Sequence, residues 1–157
     1  YRMFKTICEN NKKTVSPGTL GILTNPKHPI FCDFPTEMHT NWQWFPVIKD
    51  SHPLVLDNFP KDYRPIVQVI DNIERNHKLG LVMEWKVGKG KLLVCMSDLE
   101  KASEYPEGRA FYESVLDYML SGDFHPSSEM TMEELKKTLA TEPRKITMKE
   151  LNNISQY

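Results

Sequence analysis

His28, Cys32 and His39 fall in one short stretch of this sequence, which makes them the first side chains to weigh for chemistry. A thiol beside an imidazole is the minimum for nucleophilic catalysis, but no Cys stands at a Gly-flanked strand-to-helix elbow and no GxSxG occurs. His28 with Asp33, or His39 with Glu37, has metal-ligating types without an HxH or HExxH spacing, so no metal site is expected. His28, His52 and His125 each precede proline, which places them in extended or turn segments. Asp71, Glu84 and Asp98 sit in or beside strand candidates, and their ordinary role is solvent-facing polarity. Gly88-Lys89-Gly90 lacks the spacing of a phosphate loop and has no helix after it, so it reads as a hairpin turn. No catalytic residue, cofactor or metal is therefore expected.

The segment Asn41-Trp42-Gln43-Trp44-Phe45 is the best binding candidate. It holds two of the three tryptophans, and the sequence from Gly18 to Pro46 around it is punctuated by proline. Trp rings stack on sugar faces, and His39, Asn41 and Gln43 carry groups that bond hydroxyls. Met38, Trp42 and Phe45 follow i, i+4, i+7, the spacing of a buried helical stripe. Trp44 lies off that stripe and is the ring expected to be exposed. Trp44, Gln43, Asn41, His39 and Trp42 form the candidate carbohydrate-binding set.

The elements that would position these residues are legible in outline. Ser16-Pro17-Gly18 is turn chemistry, and Thr19 to Leu23 reads as a strand. Thr40 to Phe45 reads as helix, capped by Thr40 and stopped by Pro46. Leu54-Val55-Leu56 is a short apolar run closed by Asp57 to Pro60. Ile66 to Ile70, Leu79 to Trp85 and Lys91 to Met96 are strands whose short connections require an antiparallel meander at 66–96. Leu79, Leu81, Met83 and Trp85 alternate as one buried face. Leu92 to Met96, apolar without alternation, suits a central strand covered on both faces; its missing partners would precede Tyr1. Helix Gly108 to Leu120 carries the stripe Phe111, Val115, Tyr118 and Met119 and stops at Ser121-Gly122. Two capping boxes, Thr131 with Glu134 and Thr147 with Glu150, start short helices that must dock or fray. The fold class is α/β, with a mixed sheet and flanking helices: one domain over 1–126 and a tail with two short helices over 127–157.

Composition narrows the function classes. With 39% hydrophobic and 26% charged residues, 157 residues suffice for one soluble domain with a substantial core. A formal net charge of −1, with no dense basic run, gives no footprint for nucleic acid or an anionic membrane. No apolar run reaches the length of a membrane span, and the N-terminus has no signal pattern. The chain opens on Tyr1, as an excised piece would. Three cysteines without a CxxC pair argue against a disulfide framework, and Cys95 reads as a small core residue.

Three segments in order, GTLGILTNPKHPIFCDFPTEMHTNWQW, PIVQVIDNIERNHKLGLVMEWKVGKGKLLVCMSDL and FYESVLDYMLSGDFHP, resemble the C-terminal region of the β-galactosidase-like enzymes of glycoside hydrolase family two. The resemblance spans about residues 17–126. HPIFCDFP and GKGKLLVC also look like the class I glutamine-amidotransferase-like fold, a flavodoxin-like doubly wound sheet. The resemblance implies a non-catalytic accessory domain serving interdomain packing, oligomerisation or carbohydrate contact. Its partners would be the catalytic domains of the parent glycosidase, carbohydrate, or a second copy, in a periplasmic or extracellular setting. The alternatives are a stand-alone small-molecule enzyme of amidotransferase-like fold and an interaction module docking through its tail helices.

Overall fold

The computed structural model of the chain describes residues 21–71 and 76–141. The expected strand residues before 21 and the helix begun at Thr147 lie outside the described residues. The architecture is α/β: a five-stranded sheet with helices and a proline-rich loop layer packed on it. In chain order it runs β1 (Ile22–Thr24), α1 (Phe45–Lys49), β2 (Leu54–Val55), β3 (Val67–Ile70), β4 (Lys78–Val87), β5 (Gly90–Cys95), α2 (Leu99–Ala102), α3 (Pro106–Leu120) and α4 (Met132–Leu139). Two 3-10 turns, Pro29–Phe31 and Trp42–Trp44, shape the loop layer between β1 and α1.

The meander β3-β4-β5 forms as the short connections require, and every strand ladder is antiparallel. The hairpin joining β4 to β5 turns at Gly88, whose φ of +58° is the left-handed conformation that glycine adopts without strain. The five-stranded sheet is thus antiparallel, and the parallel bridge from Lys86 to Glu129 is an isolated one outside its strands. No parallel ladder occurs among the described residues, so they do not form the doubly wound arrangement that the resemblance implies.

The central strand is β4, not Leu92 to Met96. It is longer than any neighbour, so each edge takes two short segments in succession. One edge carries β3 and then residues 128–130, through Lys86 N to Ser128 O (2.8 Å) and Met130 N to Lys86 O (2.9 Å). The other carries β2 and then β5, joined by His52 N to Met96 O (2.8 Å). The side chains of β5 do pack on both faces, Leu93 and Cys95 on one and Leu92 and Val94 on the other.

A β-bulge corrects the expectation of one buried face along β4. Val67 pairs with Val82 while Gln68 pairs with Gly80, so Leu81 is one residue too many on β4. Such an insertion breaks the alternation of side chains. Leu79 and Leu81 therefore join the cluster under α3, whereas Met83 and Trp85 join a second cluster with Leu54, Leu56 and Met130. Gly80 is needed there: a Cβ would stand 2.3 Å from Met83 Sδ and 2.8 Å from Leu56 Cδ1. Tyr63 stacks on Trp85, ring centroids 5.8 Å apart, and closes that side.

α3 starts at Pro106, where proline's missing N–H costs nothing. Phe111, Val115 and Tyr118 are buried as expected, but Met119 is 42% exposed. At about 100° per residue Met119 stands about 80° from Phe111, while Ser114 stands within the stripe. Ser114 is buried and donates from Oγ to Ile30 O (2.6 Å), tying α3 to the first 3-10 turn. The start of the expected tail docks: Met130 is buried, and α4 carries the Thr131–Glu134 capping box.

Candidate functional site

The bulge in β4 turns Glu84 inward, toward α3, instead of leaving it as solvent-facing polarity. Its side chain is only 14% exposed. Tyr118 of α3 donates its hydroxyl to Oε2 (2.7 Å), and His28 Nε2 stands 3.8 Å from Oε1, an electrostatic contact longer than a hydrogen bond. His28 caps the Pro29–Phe31 turn by accepting at Nδ1 from Ile30 N (3.2 Å), so its other nitrogen is the one aimed at the carboxylate. Its ring meets Tyr118 edge-on at 5.3 Å.

The electrostatics follow from that packing. Burial works against the Glu84 charge, but His28 and the Tyr118 hydroxyl more than offset it and hold the carboxyl below its ordinary pKa. Glu84 is thus an anion at neutral pH. The Tyr118 phenol is pushed well up, first by burial and then by its bond to Glu84, so it remains a proton donor. Beside this trio lies a cavity of about 190 Å3, lined among others by Asn25, His28, Tyr63, Arg64, Glu84 and Ser128. It opens where β3 has ended, at Val82, and residues 128–130 have not yet begun to pair, at Lys86. The arrangement can accept hydrogen bonds from a small polar guest. The phenol is engaged with Glu84 Oε2, and Ser127 and Ser128 add to the lining.

The aromatic segment is arranged opposite to expectation. Trp44 is fully buried, with its ring against Phe31, Phe34 and Phe111 (centroids 6.0, 5.1 and 5.4 Å) and Nε1 donating to Thr36 Oγ1 (2.7 Å). A ring so enclosed has no face for a sugar. Trp42 is 88% exposed, and Met38 and Phe45 are exposed with it. The physical reason is local: Trp42–Trp44 is a 3-10 turn, and α1 begins after it. Pro46 starts α1 rather than stopping a helix. Thr40 is no cap either, since its Oγ1 accepts from Ile22 N (2.9 Å) and Asn41 caps the turn through Gln43 N (3.2 Å).

The other candidate residues are mostly spoken for. Gln43 Nε2 donates to Pro35 O (2.8 Å), and His39 Nδ1 contacts Thr40 O (3.1 Å) beside the bridge from Leu23 to His39. Leu23 and Met38 stay exposed at that bridge, and Trp42 is exposed in the turn that follows. Cys32 Sγ donates to Asp33 Oδ2 (3.2 Å) and lies 3.7 Å from Ser114 Oγ; no imidazole is among its partners. Burial pushes the Cys95 thiol up to about 11, as befits a core residue. Among the described residues no three metal-ligating side chains converge, and no helix is long and apolar enough to cross a membrane.

The sequence model of one protein family, described as a domain of unknown function (DUF8487), matches residues 1–140. This chain belongs to that family. A comparison with curated proteins finds no match. The family match runs through α4, so the segment after residue 126 belongs to the family's shared sequence as well as to the sheet of this fold. Sequence reasoning missed the Glu84 trio because the bulge that assembles it leaves no mark in the pattern of apolar residues.

Proposed function

We propose that this chain is a non-catalytic domain that works by surface contact, as the accessory domain of a β-galactosidase-like glycoside hydrolase. The observation that carries the reading is Trp42, whose side chain is 88% exposed. A bare indole displayed on a turn serves a neighbouring domain or a sugar face better than it serves water. The free edge of β5 supports the same reading. Met96 N donates to Leu81 O, and antiparallel alternation then turns the backbone groups of Leu93 and Cys95 away from β4, where no described segment pairs with them. Edge, indole and resemblance together favour packing, oligomerisation or carbohydrate contact over turnover.

The test uses tryptophan fluorescence and activity together. Galactosides or a galactose-containing polysaccharide should perturb the emission of the exposed Trp42, and Trp42→Ala should abolish the response while the fold persists. Nitrophenyl galactosides should not be hydrolysed. Turnover that survives repurification and is lost in Glu84→Gln would overturn the reading in favour of a small-molecule enzyme. That second reading has its own support in the cavity beside the ionised Glu84.

A further inference from the structure

A groove of about 460 Å3 lies on the other side of Arg64, between the 57–64 loop and the start of β4, and its walls include Lys61, Arg64 and Lys78. Two of these cations converge on one acceptor. Arg64 Nη1 donates to Tyr63 O (3.1 Å) and to Lys61 O (2.6 Å). Lys78 Nζ donates to the same Tyr63 carbonyl and to Pro60 O (3.2 Å). A guanidinium and an ammonium sharing one neutral oxygen repel each other. Among the described residues none of the three cations forms an ion pair. Asp57, the acid in the lining, is engaged: Oδ1 accepts from Lys78 N (2.8 Å) and Oδ2 meets His77 Nδ1 at 2.6 Å.

We propose that this groove is an anion site for a phosphate group. A tetrahedral dianion offers several acceptor oxygens at once, so it bridges Arg64 and Lys78 where a neutral carbonyl satisfies only part of each. At neutral pH a phosphate monoester carries about −1.5 to −2 charges, which three cations, offset in part by Asp57 and Asp62, balance better than they balance a second carboxylate. The pKa of Lys78 agrees with a site able to take an anion: burial first and then the Arg64 charge lower it, against the nearby Asp62, which raises it. Leu23 and Phe59 give the groove an apolar wall, as an ester's organic part would need, whereas free phosphate would use the cations alone.

The site is tested on the whole chain by following backbone amide shifts of His77 and Lys78 during titration with sodium phosphate, and separately with glycerol phosphate. Sodium chloride at matched ionic strength is the control. Both phosphates should give saturable shifts that chloride does not, and each of Arg64→Gln and Lys78→Gln should weaken the apparent affinity about tenfold, the loss of one charge-assisted hydrogen bond. Arg64 is exposed, so its variant tests the site even if Lys78→Gln fails to fold. Tighter binding of the ester would mark the apolar wall as part of the site, and equal binding would mark free phosphate as the ligand. Shifts matched by chloride, or an Arg64→Gln variant that responds like the wild type, would overturn the proposal. The fluorescence response of Trp42 is independent of these residues, so the accessory reading stands or falls separately.

Discussion

Replacing each tryptophan of the Trp42–Trp44 turn separates a core anchor from a surface ring within three residues. Trp44 has no exposed surface, and its ring is enclosed by Phe31, Phe34 and Phe111, rings drawn from the loop layer and from α3. Emptying such a site costs about 3–5 kcal/mol, because the transfer energy of the ring is lost and the cavity collapses only in part. That is a large share of the roughly 5–15 kcal/mol by which domains are stable, and it should lower the melting temperature by about 10 °C in a chain of this size. Trp44→Phe keeps most of the buried area but loses the Nε1 bond to Thr36 and should cost about 1–2 kcal/mol. Trp42→Ala, at 88% exposure, should stay within about 0.5 kcal/mol. Equilibrium urea unfolding of the three variants, with the slope checked for constancy, measures all of this. A Trp44→Ala cost below about 1 kcal/mol, or a Trp42→Ala cost as large as that of Trp44→Ala, would refute the packing argument.

Glu84 should couple stability to acid. Its folded pKa lies below the ordinary value of about 4.3, so its contribution is full above that value and is lost as pH falls through the folded pKa. Urea midpoints between about pH 3 and 7 should therefore fall less steeply toward acid in Glu84→Gln than in the wild type, and parallel curves would sink the assignment. Gly108→Ala should cost about 3 kcal/mol, since its Cβ would lie 1.9 Å from the Ala102 carbonyl oxygen, and backbone cannot yield as a side-chain tip can. A thermal melt close to that of the wild type would mean that α2 and α3 are free to separate.

What the sequence revealed and what it hid follow one physical division. The meander was legible because connections as short as Val87 to Gly90 leave no room for a crossover. α3 was legible because fifteen residues with a repeating apolar stripe admit few other readings. Short elements were not. Around Trp42 one turn of 3-10 geometry replaces the expected α-helix, and a change of period over three residues is enough to exchange the buried ring for the exposed one. Met119 was misjudged for a milder reason, since i+8 lies at the margin of a stripe whose centre is held by Ser114 and Val115. The bulge at Leu81 is one inserted residue paired across the sheet, and nothing in β4 alone announces it. The candidate binding residues fared accordingly: Trp42 is displayed, Trp44 is enclosed, Asn41 spends its side chain on capping the turn, and Gln43 spends its own on the Pro35 carbonyl.

The position of the Glu84 cavity can be derived from strand lengths. β4 runs from Lys78 to Val87, whereas β3 ends its pairing at Val82 and residues 128–130 meet β4 only at Lys86. A central strand with one continuous partner per edge would bury its edge completely. On this edge the two short partners leave a gap between their ends, and the gap falls beside Glu84. The chain before β3 turns between Pro60 and Pro65, and Arg64 in that turn lines the cavity and the cationic groove alike. The Glu84 cavity thus arises from a mismatch, a long strand paired with short ones. Filling the gap with two more ladder residues would close the Glu84 cavity, and Arg64 is the groove-lining side chain it would touch.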